Sequence, residues 1–434
     1  MDKSYIKSQI AMRQSEFPTD LKKREVMLPL DASKIVTVPG VRRCGKSSRM
    51  ENVINSLLTA GVARERFLWV SFDDERLVRM KSDELDQIIE AYREMFPYIE
   101  MSSVYMFFDE IQLIEGWEYF VLRLYKHYCK NIYISGSNAS MLSSEFKSAL
   151  RGWPLEEETL PLSFREFCDF KGIATDSWHE ADLARLRNAF VQYNNEGGFP
   201  EVVLTENPLL KTKILQAYFD TMLLKDLVEH YNLSNIEVLR YFLKRIMANL
   251  TKPTSIRAIF GDIKSRGLRV GKDDLYAWAN HACSIFMFLR VPNYSKSLQK
   301  IESSQPKYYC IDNGLRDAVL LPQSEDDGKK LENTVFLQLY RKRTPVDQIF
   351  YYRGETECDF VVQRGATIDR LIQVTWNMSD EETRAREIKG IVEAAKATGC
   401  RNLFIITADC SEEIEIEGGL LIHVVPAWRW LLDG

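Results

Sequence analysis

At 434 residues the chain exceeds what one compact core holds, so two to four domains are expected. Hydrophobic residues make up 45% and charged residues 27%, the balance of a globular protein rather than of a disordered or membrane-spanning one. A net charge of −5 over the whole chain points to no particular class of partner.

Ile35-Val36-Thr37-Val38 is an apolar, β-branched run that predicts a buried strand. It leads into Gly40-Val41-Arg42-Arg43-Cys44-Gly45-Lys46-Ser47, which spells G-x-x-x-x-G-K-S. Met50, Val53, Ile54, Leu57 and Leu58 then line one face of a helix predicted over Ser48–Ala60, with Gly61 as its stop. Strand, glycine-bracketed loop and helix in that order form a phosphate cradle. Backbone N–H groups from Gly40 through Ser48 can turn toward a phosphate, and the helix N-terminus adds partial positive charge. In that reading the ligand is ATP, Lys46 reaches the β- and γ-phosphates, and the Ser47 hydroxyl ligates Mg2+. The bland alternative is a glycine-rich surface turn before an ordinary helix.

A second strand-like run, Phe67–Phe72, ends in Asp73-Asp74-Glu75, and a third, Val104–Phe108, ends in Asp109-Glu110. Asp then Glu at the end of an apolar strand is the Walker B arrangement. Asp109 would hold the metal through its water shell, and Glu110 would polarise the attacking water. The Asp73-Asp74 pair is read as solvated turn residues. Trp117–Tyr128 traces a helical face, and Ile132–Ile134 predicts another strand ending in Ser135-Gly136-Ser137-Asn138. The alternation predicts a parallel sheet with helices on both faces and its ligand at the carboxyl ends of the strands. Ser137 and Asn138 stand where a γ-phosphate sensor would stand, and capping of the next helix explains them equally well.

Several blocks together resemble a bacterial and archaeal family of AAA-like P-loop ATPases with a C-terminal domain of unknown function. They are Phe107-Phe108-Asp109-Glu110-Ile111-Gln112, Ile134–Asn138, Leu160–Phe167 and Gly197–Val203. The likeness implies ATP binding and hydrolysis, with Glu110, Lys46 and Asn138 as catalytic residues. Relatives carry Gly-Arg before the Pro-Leu-Ser-Phe block, whereas this chain has Arg151-Gly152-Trp153, so Arg151 is read as a surface residue rather than an arginine finger.

Gly197-Gly198-Phe199-Pro200 breaks the periodicity and reads as a boundary or hinge. Tyr218–His230 predicts a packed helix, and the family resemblance implies that this segment closes the ATPase module. Between Arg240 and Lys272 lie nine basic residues against one acid, Asp262. Three short helices (Val238–Leu250, Ser255–Ser265, Lys272–Cys283) and two strand-like runs (Ile285–Val291, Lys307–Ile311) predict a winged helix. Its third helix would be the one offered to a DNA major groove. Double-stranded DNA through Arg240 to Lys272 and a protein partner are both open at this point. Lys307–Leu315 resembles the family strand and turn that end this module, and Asp312 is read as turn chemistry rather than catalysis.

After a polar linker, Gln323–Lys330, a helix from Leu331, a hairpin, the strand Leu371–Trp376 and a helix through Arg384 resemble the PD-(D/E)XK nuclease fold. Glu332 and Asp359 fit its first two acidic places. The third reads Gln373-Val374-Thr375, a neutral amide and a hydroxyl where a carboxylate and a lysine are needed, so a degenerate domain is expected. The fold class expected is α/β: a P-loop AAA-like parallel sheet (1–200), a helical closing segment (201–236), a winged-helix-like basic module (237–322) and a nuclease-like α/β domain (323–434). The favoured function is an ATP-hydrolysing switch that repositions the downstream modules. The alternatives are a non-catalytic ATP-binding scaffold and a metal-dependent nuclease. Eight scattered cysteines without a C-x-x-C pair, and a first segment with no apolar core, point to a reducing cytoplasm and away from a membrane.

Overall fold

The computed structural model describes residues 3–31, 33–137, 150, 152–176, 179–320, 327–416 and 419–433. The chain divides into two compact units, Met1–Leu160 and Pro161–Gly434, so the boundary expected at residue 200 falls inside the second.

Unit 1 is built on α1 (Lys3–Glu16), β1 (Ile35–Pro39), α2 (Lys46–Thr59), β2 (Phe67–Ser71), α3 (Asp86–Met95), β3 (Tyr105–Asp109), α4 (Trp117–His127), β4 (Asn131–Gly136) and β5 (Pro154–Glu156). The strands pair in parallel in the order β2-β3-β4-β1-β5. Every residue of β1 is buried, as its unbroken apolar run requires of a strand covered on both faces. On one face Trp69, Phe107 and Tyr133 stack across three strands, at centroid separations of 5.6 and 4.8 Å, and α2 packs Met50, Val53 and Ile54 into the same cluster. The other face carries Leu68, Met106, Phe108, Ile132 and Ile134 against α1, α3 and α4.

The chain leaves this unit along the back of β1. Glu157 and Thr159 donate their N–H groups to Thr37 and Pro39 carbonyls, both at 2.8 Å. The Arg49 guanidinium, from α2, donates to the carbonyls of Glu157 and Glu158 and to Thr159 Oγ1 at 3.2, 3.1 and 2.9 Å. Arg24 donates to the Leu160 carbonyl at 2.8 Å.

Unit 2 opens with the helix α5 (Phe164–Lys171), fixed by a capping box. Glu166 N–H donates to Ser163 Oγ at 3.0 Å, and Ser163 N–H donates to Glu166 Oε2 at 2.9 Å. The helices α6 (Glu180–Glu196), α7 (Pro200–Leu204) and α8 (Pro208–Thr221) follow, α8 running on as a π-helical stretch to Glu229. The predicted hinge at Gly197–Pro200 is instead a buried joint. Gly198 donates to Asp312 Oδ2 at 2.7 Å and accepts from Leu162 N–H at 2.7 Å, and a Cβ on it would meet the Leu162 carbonyl oxygen at 2.4 Å. The glycine serves close approach, not freedom.

Asp312 also accepts the Leu315 N–H at 2.9 Å, capping α13 (Asn313–Val319). Burial pushes its carboxyl up to about 7 despite these donors. The unfolded value is about 3.9, so in between the native form holds the proton and the unfolded form has lost it. Its contribution to stability is therefore complete below the unfolded value and lost as pH rises through about 7. Asp312→Asn should lower stability, since one N–H loses its acceptor, and should flatten the pH dependence of the urea midpoint across that window. An unchanged slope would rule out Asp312 as its source.

The helices α9 (Ile236–Ala248), α10 (Ile256–Ser265) and α11 (Lys272–Ser284) and the antiparallel pair β6 (Phe288–Val291) and β7 (Lys307–Cys310) fall on the runs expected for three helices and two strands, except that β6 starts late and a short helix α12 (Leu298–Ser303) joins the strands. Ile285 ends the preceding helix and Phe286 turns at φ 61°. Of the expected linker, residues 327–330 already belong to α14 (Asp327–Lys342), and 323–326 lie outside the described residues. A six-stranded sheet completes the unit: β8 (Asp347–Arg353), β9 (Glu357–Arg364), β10 (Thr367–Val374), β11 (Leu403–Thr407), β12 (Glu412–Ile416) and β13 (Leu420–Pro426), in the order β12-β13-β11-β10-β9-β8. α15 (Glu381–Thr398) packs on β9 and β10, burying Ile391, Ala394 and Ala395 with Val361 and Leu371. Among the described residues no helix is long and apolar enough to cross a membrane.

Candidate functional site

The loop after β1 turns on two positive φ angles, 69° at Arg43 and 96° at Gly45, and Gly45 forms the N-cap of α2. A Cβ on Gly40 would lie 2.1 Å from the Thr159 carbonyl oxygen, so the first glycine of the motif is needed where the loop backs onto the exit strand. Cys44 is buried, its thiol 3.1 Å from the same carbonyl, and burial pushes that thiol up, away from the reactive thiolate.

At the carboxyl ends of β1, β3 and β4 the sheet gathers Lys46, Ser47, Asp109, Glu110, Ser135 and Ser137. Lys46 is 4% exposed and bonds to the loop itself, donating to the Gly40 and Val41 carbonyls at 3.2 and 3.3 Å with Glu110 Oε1 at 3.4 Å. Burial works against its charge, but Glu110, with Cys44 and Asp109, outweighs it and raises the ammonium. Ser47 Oγ donates to Asp109 Oδ2 at 2.6 Å, and Ser135 donates to Oδ1 of the same carboxylate. Burial lifts Asp109 above its usual range even so. Glu110 adopts left-handed backbone, φ 52°, which turns the chain sharply after β3. Burial pushes its carboxyl up, yet Lys46 and Arg42, with hydrogen bonds from Gln112 and Ser137, hold it below the usual range. Gln112 Nε2 donates to Glu110 Oε2 at 2.5 Å and reaches Ser137 Oγ at 3.5 Å.

The structure thus brings together the two acids, the lysine and the serine that the sequence singled out. Asn138 and Arg151 lie outside the described residues. Ser135 and Gln112, the residues that orient the two acids, were legible only as parts of the family blocks. The Ser47 hydroxyl and Asp109 carboxylate are hard oxygen donors side by side, the donor set that Mg2+ takes. Asp73 stays at the surface and accepts from Ser71 Oγ at 2.6 Å, consistent with the turn reading.

In the basic segment, Arg240 pairs with Asp220, and Arg245 and Arg266 with Asp262. Lys252, Arg257, Lys264 and Arg269 are exposed. The first turn of α11, the helix expected to face DNA, carries Asp273 and Asp274. The connection between β6 and β7 joins strand β8: Tyr294 N–H donates to the Tyr351 carbonyl at 2.7 Å, and Tyr351 N–H to the Pro292 carbonyl at 3.1 Å.

Residues 32–168 match the model of an AAA domain, and residues 187–326 match a domain of unknown function (DUF8612). An uncharacterized protein of Haemophilus influenzae is 27% identical over 93% of this chain and 95% of its own length. Among solved structures, the Aeropyrum pernix ORC2 protein (ADPNP-ADP complexes) aligns over 73% of this chain and 93% of that one, at 9% identity and a TM-score of 0.29, a likeness that decides nothing about this chain. An uncharacterized protein of Methanocaldococcus jannaschii is 31% identical over 94% of this chain and 90% of its own length. The chain belongs to the same family as that archaeal protein, and its first unit carries an AAA-like P-loop domain.

Proposed function

We propose that the chain is an ATP-hydrolysing AAA-like protein whose nucleotide state acts on the modules downstream. The observation that carries this reading is the placement of Glu110: a buried carboxylate held ionised beside Lys46 and aimed by Gln112, where a protein that only holds nucleotide needs no such acid. ATP enters the loop from Gly40 to Ser48, and Lys46 exchanges its two loop carbonyls for phosphate oxygens. Ser47 and Asp109 would hold Mg2+, which would supply charge neutralisation to the phosphates. Glu110 orients the attacking water and takes its proton, Ser137 lies at the γ-phosphate end, and Asn138, outside the described residues, is the sensor expected from the sequence.

A second contact, with double-stranded DNA, is supported by Lys252, Arg257, Lys264 and Arg269, a set of exposed cations on and around α10, with exposed Lys272 at the start of α11. Contacts of this kind bind phosphate and weaken as salt rises. In this reading the module from Ile236 to Cys310 is a winged helix whose wing is committed to the β8 edge, and the last unit is a nuclease-like domain without cleavage. The test is Mg2+-dependent phosphate release by the wild-type chain, with and without duplex DNA at low and moderate salt. Release is expected, with stimulation by DNA that fades with salt. No release in either condition would overturn the hydrolase reading and leave a binder or scaffold, and release indifferent to DNA would favour a protein partner.

A further inference from the structure

Unit 2 contains a second concentration of buried charge. A cleft of about 670 Å³ is floored by Glu332 of α14, Glu357 and Asp359 of β9, and Gln373 of β10. Three of these are the residues that the nuclease-like reading aligns with a divalent-metal site. Mg2+ would need their oxygens converging at about 2.0–2.1 Å around one point.

The carboxylates instead face donors of the protein. Lys307, fully buried on β7, donates to Glu332 Oε1 at 3.1 Å and Asp359 Oδ1 at 3.2 Å, and its ammonium pairs with Glu357 Oε1 at 2.8 Å. One ammonium thus faces three carboxylate oxygens at ion-pair distance. Asp359 Oδ2 accepts the Val374 N–H at 2.9 Å, and Glu332 Oε1 also accepts the Tyr309 hydroxyl at 2.8 Å. Gln373 turns its amide oxygen to the Asp359 N–H at 3.3 Å and donates to Glu387 at 2.5 Å, so it presents no oxygen to a cation. Burial opposes the charge on Lys307, but Glu332, Tyr309, Asp359 and Glu357 together hold it well above the ordinary lysine value. Among the described residues, none form a cluster able to hold a metal ion. The residues do not fit the metal that the fold would imply.

We propose that the Lys307 ammonium is a built-in cation, seated where a nuclease-like domain would bind its metal. It comes from β7, the strand that ends the three-helix module, while its acceptors lie on α14 and β9. The same lysine therefore closes the cleft to divalent ions and ties β7 to the six-stranded sheet.

The test is Mn2+ titration of the full chain without nucleotide, followed by calorimetry and by thermal melting, in wild type, Asp359→Asn, Lys307→Ala and Lys307→Ala/Asp359→Asn. Wild type and Asp359→Asn should respond to Mn2+ alike. Lys307→Ala exposes uncompensated carboxylates and should bind Mn2+ at least about tenfold more tightly than wild type, with a metal-dependent rise in melting temperature that the added Asp359→Asn abolishes. Binding of Mn2+ by wild type that disappears in Asp359→Asn would overturn the proposal. So would a folded Lys307→Ala that gains no site. If Lys307→Ala does not fold, the wild-type and Asp359→Asn pair still decides, because their equality supports the built-in cation and their difference refutes it.

Discussion

Glu110→Gln is expected to keep ATP and to lose its hydrolysis by about 10²- to 10⁴-fold, the range that a positioned general base contributes. The amide preserves the side-chain volume and an oxygen for Gln112, so the turn after β3, with Glu110 at φ 52°, has no reason to change. What disappears is the negative charge that Lys46 and Arg42 hold ionised in a buried site. Lys46→Ala should behave differently. Its ammonium is the buried cation nearest the two acids, and without it the loop keeps its backbone donors but loses its fixed charge. Nucleotide affinity should fall along with turnover. Phosphate release and binding of a fluorescent ATP analogue, measured on both variants, separate the two roles. Undiminished hydrolysis in Glu110→Gln would mean that another group activates the water, and the assignment would fail.

Lys307→Met carries the largest expected cost in stability, about 3–5 kcal/mol for removing one partner from a buried ionic cluster. Methionine fills most of the volume, so the loss is electrostatic: Glu332, Glu357 and Asp359 are left facing one another with no cation between them. Asp359 is already held well above its usual range by burial and by Glu332, and removing the lysine takes away the main opposing influence. A carboxyl whose folded value is raised contributes stability that is complete at low pH and lost as pH rises through that value. The deficit of Lys307→Met relative to wild type should therefore shrink on acidification. Urea midpoints at neutral and mildly acidic pH measure this, and a deficit independent of pH would show that lost packing, not charge, was responsible.

The phosphate loop and the end of β3 were legible because their chemistry lies in consecutive residues whose flanks alternate as strand and helix. The long-range partners were not. Lys307 stands 52 positions before Asp359 at the head of Lys307-Tyr308-Tyr309-Cys310, which reads as an apolar strand beginning with a surface lysine. Only the fold shows that this lysine is buried. Arg49 and Asn52 read as the polar face of α2, yet both are buried, Arg49 under the exit segment. β5 is only three residues long, Pro154-Leu155-Glu156, below what periodicity detects, although it completes the sheet beside β1. The glycines at 197 and 198 were correctly seen as a break in pattern. Their purpose was misread, because a hinge and a tight joint both require glycine and differ only in what lies opposite, here Leu162 and Asp312.

The route by which the chain leaves unit 1 has a mechanical meaning. The segment running from Pro154 to Leu160 is hydrogen-bonded to the strand that feeds the phosphate loop, touches the loop at Gly40, and is gripped by an arginine from the helix that the loop begins. Tension on the connection at Leu160–Pro161 therefore loads the loop before it loads the rest of the sheet. In the proposed function, the same bonds would carry a tightening of the loop around phosphates to the tether at Leu160.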